Sequence, residues 1–261
     1  MGSQPALRAL VEAFDRHVRP GTFPLAVRML RPGEAVPDKA RAPRRDLGFQ
    51  TAICQAFGLA RRYGWTLAVG KDDLSCPLGA TAFGFAPLVD YYAEGHACAG
   101  FYTATAEAGA RSEAAVPKFP HGAYERIVVG PAARATFDPD LVMVYASSAQ
   151  VLRLVTAALY DRGGALTTQI SGRIDCADLV IRTMQTGECQ VVLPCYGDRI
   201  FAQTQDHEMA FTVPAGRFEA VVQGLDGTAK GGIRYPIPSF LRYTGEFPPA
   251  YTKVREFWPN E

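Results

Sequence analysis

The stretch Trp65-Thr66-Leu67-Ala68-Val69-Gly70-Lys71-Asp72-Asp73-Leu74-Ser75-Cys76-Pro77-Leu78-Gly79 decides how the chain is read. Trp65 to Val69 is a short apolar run of the kind that forms a buried strand. A helix-like run, Ala80 to Ala93, follows. Cys76 is thereby set on a loop between the end of a strand and the start of a helix. Unpaired backbone N–H groups and the positive end of the helix dipole face such a point, and a thiol there ionises more readily than usual. Pro77 removes one N–H and fixes the turn. A thiolate followed by proline also ends some iron–sulfur ligand runs. A buried, inert cysteine is the plainer reading of Cys76 by itself.

Outward from this stretch the same order of elements recurs. Phe23 to Leu30 reads as a strand, and Arg31 to Leu47, rich in proline and charge, as a loop. Phe49, Ala52, Ile53, Ala56, Phe57 and Ala60 share one helical face, which carries Cys54 at its edge and stops at Gly64. Tyr124 to Val129 is a strand. Leu141 to Tyr145 is another, followed by a helix on Val151, Leu154, Val155, Ala158 and Leu159. Ala165 to Ile170 reads as a strand, leading through Cys176 into a helix over Ala177 to Met184. Cys189 to Leu193 and Met209 to Val213 are strands, and Arg217 to Gln223 is a short helix.

Strand, helix, strand, cysteine loop and helix thus occur around Cys76 and again, at an offset of 100 residues, around Cys176. Each half ends in a strand beside a proline, Pro131 or Pro214. The pattern predicts an α/β fold with mixed, mainly parallel sheets and flanking helices, in two pseudo-repeated halves. The expected units are an N-terminal helix (1–22), a first α/β half (23–135), a second (136–224) and an extended C-terminal tail (225–261). Ligands of such sheets sit beyond the carboxyl ends of strands. Cys76, Cys176 and Cys195 are therefore expected to face one crevice between the halves, with Cys54 reaching it from its helix.

The 261 residues are 48% hydrophobic, enough for a sizeable core, and a net charge of +1 gives no reason to expect a polyanionic partner. The basic cluster Lys39, Arg41, Arg44, Arg45 is short and reads as a solvated loop. No apolar run is long enough for a bilayer and the start lacks the order of a signal peptide, so a cytoplasmic protein is expected. Six cysteines in such a chain point to metal, redox chemistry or burial more than to disulfides. No Walker loop, GxGxxG, GxSxG or HExxH is present. Cys98, in a Gly/Ala-rich turn, and Cys189, within a strand, read as structural. Four thiolates in one crevice suit an iron–sulfur cluster or zinc. The scattered spacing, without a CxxC pair, by itself favours four unrelated core cysteines. Arg199, four residues after Cys195, is a candidate cation for an anionic substrate or a charged cluster, against an ordinary surface ion pair. Lys71 stands in the same position beside Cys76, against a solvated loop charge.

At these residues the chain resembles a prokaryotic family catalogued as domain of unknown function number 169. The resemblance rests on Cys54-Gln55-Ala56, Asp72 to Gly79, Cys176 before a helix, and Pro194-Cys195-Tyr196-Gly197-Asp198-Arg199, and covers Phe23 to Gln223. It implies no particular reaction. It does imply a shared role for Cys54, Cys76, Cys176 and Cys195, and the family's frequency in anaerobes suits an oxygen-sensitive cofactor. Some relatives carry a further cysteine where this chain has Asp198. With the resemblance, the expectation is a [4Fe–4S] protein, an oxidoreductase or other cluster-dependent enzyme acting on a small molecule. Cys54, Cys76, Cys176 and Cys195 are its cluster ligands, with Arg199 and Lys71 as catalytic candidates. Zinc or no cofactor is the alternative, in a cysteine-nucleophile enzyme or a non-enzymatic small-molecule or zinc-binding module. A small-molecule substrate or redox partner is expected, nucleic acid and membrane are not, and oligomerisation is left open.

Overall fold

The computed structural model describes residues 3–237 and 244–259. Its centre is one six-stranded sheet built from β1 (Leu25–Leu30), β2 (Leu67–Gly70), β3 (Arg126–Pro131), β4 (Leu141–Ser147), β5 (Gln190–Val192) and β6 (Glu208–Pro214), in the order β2-β3-β1-β4-β6-β5. Every neighbouring pair is antiparallel. The expectation of a mainly parallel sheet is therefore wrong, and the cause is specific. The chain does run strand, helix, strand from β1 through α2 (Ile53–Tyr63) to β2, and those two strands point the same way. They are not neighbours, because β3 returns and slots between them. The connection from β4 to β5 is split by β6 in the same manner. Such split β-α-β units share the element order of adjacent parallel pairs.

Burial misleads in the same direction. Leu141 to Ala146 are all buried, with Leu141, Met143 and Tyr145 on one face of the sheet and Val142, Val144 and Ala146 on the other. Continuous apolar strands are the mark of sheets covered on both sides, usually parallel ones. Here helices cover both sides of an antiparallel sheet. α1 (Ser3–His17), α6 (Ser148–Ala158) and α10 (Phe218–Lys230) pack on the even face. The opposite face carries α2, α3 (Pro77–Ala82), α4 (Asp90–Ala93), α5 (Ala106–Ala115), α7 (Asp175–Ala177) with the turns that continue it to Thr186, and α9 (Tyr196–Phe201).

Three further expectations change. The run Ala165–Ile170 forms no strand; Thr168 only hydrogen-bonds the edge of β5 through its hydroxyl. The helix expected over Ala80–Ala93 is two short ones, α3 and α4, broken at Gly84, whose φ is +73°. The chain does not become extended at Leu225, since α10 continues to Lys230.

The strand order reads the same from both edges when β1, β2 and β3 are matched with β4, β5 and β6. β3 ends in Pro131-Ala132-Ala133-Arg134 and β6 in Pro214-Ala215-Gly216-Arg217, and each tetrapeptide enters a 3-10 turn. This matching does not equate Cys76 with Cys176. Cys76 follows β2, and the cysteine that follows β5 is Cys195. Cys54 is the second residue of α2, between β1 and β2, and Cys176 is the second residue of α7, between β4 and β5.

On the even face α6 and α10 touch at Gly224, where a methyl group would lie inside the van der Waals envelope of the Ala157 carbonyl. A backbone oxygen cannot swing aside. Gly224→Ala is expected to destabilise the fold by about 1–3 kcal/mol, read as a lower urea midpoint with an unchanged slope.

Candidate functional site: four thiols at four helix starts

Cys76 and Cys195 are the N-cap residues of α3 and α9. Cys54 and Cys176 each stand one residue inside α2 and α7. All four thiols therefore sit at helix starts, where unpaired N–H groups favour negative charge. At Cys76 this is a formed contact: the Gly79 N–H donates to Sγ at 3.3 Å. Pro77 gives the helix its first residue, and Gly79 brings its backbone within reach of the sulfur.

The four helices meet across the two halves of the chain. α2 packs against α9 and α3 against α7. Gly58 of α2 comes so close to Ala202, just past α9, that a Cβ there would lie 3.0 Å from its backbone and side chain. Cys54, Ala52 and Ala202 form one small buried cluster with Cys76 against it. Cys76 and Cys195 lie within electrostatic reach of the Cys54 and Cys176 thiols. Burial pushes the Cys54 thiol well above the ordinary value, and the charges of Asp198, Asp175, Cys195 and Cys76 push it further. Burial does the same to Cys176, helped by Asp175, Cys54, Cys76 and Cys195. Cys54 and Cys176 are each 6% exposed, while Cys76 and Cys195 are half-buried and open the group to the surface. All six cysteines are free thiols. Cys98 packs in its turn with Sγ donating to the Gly95 carbonyl, and Cys189 lies on the opposite face of the sheet, its thiol pushed up to about 12 chiefly by burial. Neither belongs to the group.

Two carboxyl groups accompany the thiols. Asp198, in α9, is fully buried and accepts hydrogen bonds from the Tyr145 hydroxyl at 2.8 Å and the Thr204 hydroxyl at 2.6 Å. Thr204 accepts in turn from Arg61 Nη2 at 3.0 Å. Arg61 is fully buried, forks onto both oxygens of Glu208 at 2.6 and 3.1 Å, and lies 4.2 Å over the Tyr145 ring. Asp175 precedes Cys176 and is buried with both carboxylate oxygens lacking a hydrogen-bond partner. Its pKa is raised well above the ordinary value, first by burial, then by the charges of Asp198 and Cys195. Ile174, before it, has φ 46° and ψ 48°. A β-branched residue in that region is strained, so the surrounding structure holds this turn in place.

Sequence reasoning missed this polar floor. Its one visible signal was Arg61, a charge placed four residues after Phe57 on the apolar face of α2. The two cationic candidates make their contacts with other groups. Arg199 donates to the Gln205 carbonyl at 2.8 Å and sits 3.9 Å from the exposed Asp206, contacts that lead back along its own loop. Lys71 is exposed on a surface cleft of about 540 Å³ that it lines with Arg44, Arg45 and Arg126 and with no cysteine. Among the described residues no three His, Cys, Asp or Glu side chains converge as ligands of a single ion do, and no helix is long and apolar enough to cross a membrane.

A model of the family described as "Uncharacterised ArCR", domain of unknown function 169, matches residues 13–224. An uncharacterized protein of Methanocaldococcus jannaschii is 28% identical over 121 residues, which are 46% of this chain and 52% of that protein. The chain thus spans about half the length of the curated relative it matches. No solved structure matches the chain.

Proposed function

The chain belongs to the uncharacterised ArCR family, and for it we propose a thiolate centre in which Cys54, Cys76, Cys176 and Cys195 hold a [4Fe–4S] cluster for a redox or lyase-type reaction on a small molecule. The observation that carries this reading is that four thiols at four separate helix starts, two from each half of the sheet, lie within electrostatic reach of one another where α2 packs on α9 and α3 on α7. Four cysteines are the usual ligand set of such a cluster. A single zinc draws its donors to about 2.3 Å from one point, whereas cluster thiolates each face their own iron and need not converge. When bound, the group supplies electron transfer with four thiolates, or a Lewis-acidic iron if one position stays open.

The chain's own residues supply the surroundings. Burial of Cys54 and Cys176 excludes water from the inner side, and four helix starts offset the negative charge of thiolates. Tyr145, Thr204 and Arg61 hold Asp198 behind Cys195. Asp175, whose carboxyl pKa burial pushes up, lies within electrostatic reach of Asp198 and Cys195. Nothing in the contacts of Arg199 or Lys71 supports a catalytic part for either.

Anaerobic incubation of the full chain with ferrous iron, sulfide and thiol tests the reading. The expected product binds about four irons and four sulfides per chain, is brown, and bleaches with dithionite or air. A colourless product without sulfide would sink it. A second reading has Cys76 as a nucleophile, favoured by its half-exposure and its Gly79 N–H contact. In that case the metal-free chain should react fastest with iodoacetamide at Cys76, and the other three thiols slowly.

A further inference from the structure

Beside the thiol group lies a second, unassigned feature. Arg173 is 3% exposed, and its Nη1 is engaged by the Glu113 carboxylate at 2.5 Å. Its Nε and Nη2 are buried and have no acceptor. These two N–H groups form the side-on edge of the guanidinium, the fork that fits both oxygens of a carboxylate. A buried donor without a partner costs about 1–3 kcal/mol, so two on one edge call for an explanation. The Tyr102 ring lies 4.9 Å over the guanidinium and is itself 39% exposed. Tyr102 is also within electrostatic reach of Cys195 and Asp175, and Tyr92, beneath Lys118, is within reach of Cys176. Glu113 balances Arg173, and Lys118, half-buried with its ammonium donating to the Glu113 and Val116 carbonyls, leaves one positive charge in excess. The strained Ile174 joins Arg173 to Asp175 and Cys176.

We propose that the Nε/Nη2 edge of Arg173 is the anchor for a small monocarboxylate, which enters by displacing the Tyr102 ring and is held next to the thiol group. The excess positive charge selects an anion and the planar fork selects a carboxylate over a tetrahedral anion. The proposal names the ligand class of the crevice, and only the fate of the bound ligand rests on the cluster reading.

The test uses the full chain without metal, reduced, titrated with sodium acetate against sodium phosphate and sodium chloride at constant ionic strength, with heat of binding and thermal midpoint as readouts. Saturable acetate binding that phosphate does not match is expected. Arg173→Lys keeps the charge facing Glu113 but loses the fork, and should weaken acetate binding by about tenfold to a hundredfold. The neutral pair Arg173→Gln with Glu113→Gln should do the same; if that pair does not fold, Arg173→Lys decides. Acetate giving no more response than chloride, phosphate binding as well as acetate, or Arg173→Lys binding like the parent would each overturn the proposal. Iron and sulfide assays on the same preparations score the cluster separately, so either idea can fail alone.

Discussion

Cys176→Ala is expected to lose most of its cluster loading, and Cys54→Ala, Cys76→Ala and Cys195→Ala to lose most of theirs. Cys98→Ala and Cys189→Ala should retain full iron. The measurement is iron and sulfide per chain after anaerobic reconstitution, with far-ultraviolet circular dichroism to establish that each variant is folded. Replacing a small buried thiol by a methyl group removes little volume, so the fold should survive. What is lost is a ligand from a site with no spare donor of the same kind, since Cys98 packs in its own turn and Cys189 faces the other side of the sheet. The symmetric strand order adds a finer expectation. Residual binding should be similar within the pairs Cys54/Cys176 and Cys76/Cys195, because each pair occupies matching positions. Full iron in Cys176→Ala would remove the four-thiol centre.

Arg61→Met should be the most damaging change outside the thiols. It takes from the buried Glu208 its forked cation, leaving only Arg62 at 3.7 Å and the Gln205 N–H, at a cost of about 1–3 kcal/mol. It also frees Thr204 from Arg61 and so loosens its bond to Asp198. Adding Glu208→Gln should restore much of the loss, since the stranded charge is gone. Chemical denaturation of the single and double variants measures both. The same pair gives an acid dependence. Burial opposes ionisation of Glu208, but the Arg61 hydrogen bonds, the Gln205 N–H and the charges of Arg61 and Arg62 outweigh it, and the pKa falls below its ordinary 4.5. The folded state therefore binds the proton less readily than the unfolded chain. The stabilisation is full above pH 4.5 and is lost as pH falls through the lower folded value. The double variant should lose this part of the acid slope. An Arg61→Met midpoint equal to the parent's would show that the pair contributes nothing.

The positions of most strands and of the helices at Cys54, Cys76 and Cys176 were legible in the sequence, because runs such as Leu25–Leu30 and Leu141–Ser147 are apolar but for Arg28 and Ser147; α9, which follows Cys195, reads in the sequence as a loop. The partners of the strands were not legible. An order of strand, helix and strand fits a parallel pair or a split one, and only the position of the third strand distinguishes them. Nothing local in Arg126–Pro131 says that it lies between β1 and β2. The cysteine group was legible as a set but not in its internal matching. The offset of 100 residues from Cys76 to Cys176 compared a helix cap with a residue inside a helix. The better signals were the near-equal separations of Cys54 from Cys176 and Cys76 from Cys195, together with Pro131-Ala132-Ala133-Arg134 and Pro214-Ala215-Gly216-Arg217. Asp175 and Arg173 could not be singled out, since a charged group buried without a full set of partners looks in sequence like any loop charge, and Asp198 stood out only through its place in the last motif.

Among the described residues β6 is the last strand in chain order, and it lies inside the sheet, between β4 and β5. On the ribosome, everything up to Phe201 can emerge and still leave β5 with no strand beside it and Cys195 with no fixed address. Only when Glu208–Pro214 threads into the gap does β5 gain a neighbour and the chain around Cys195 a fixed place. A cofactor that needs ligands from both halves therefore has no home on the growing chain. The proposed centre would then fill only after β6 is made, and a chain cut short before Glu208 is expected to take up no iron.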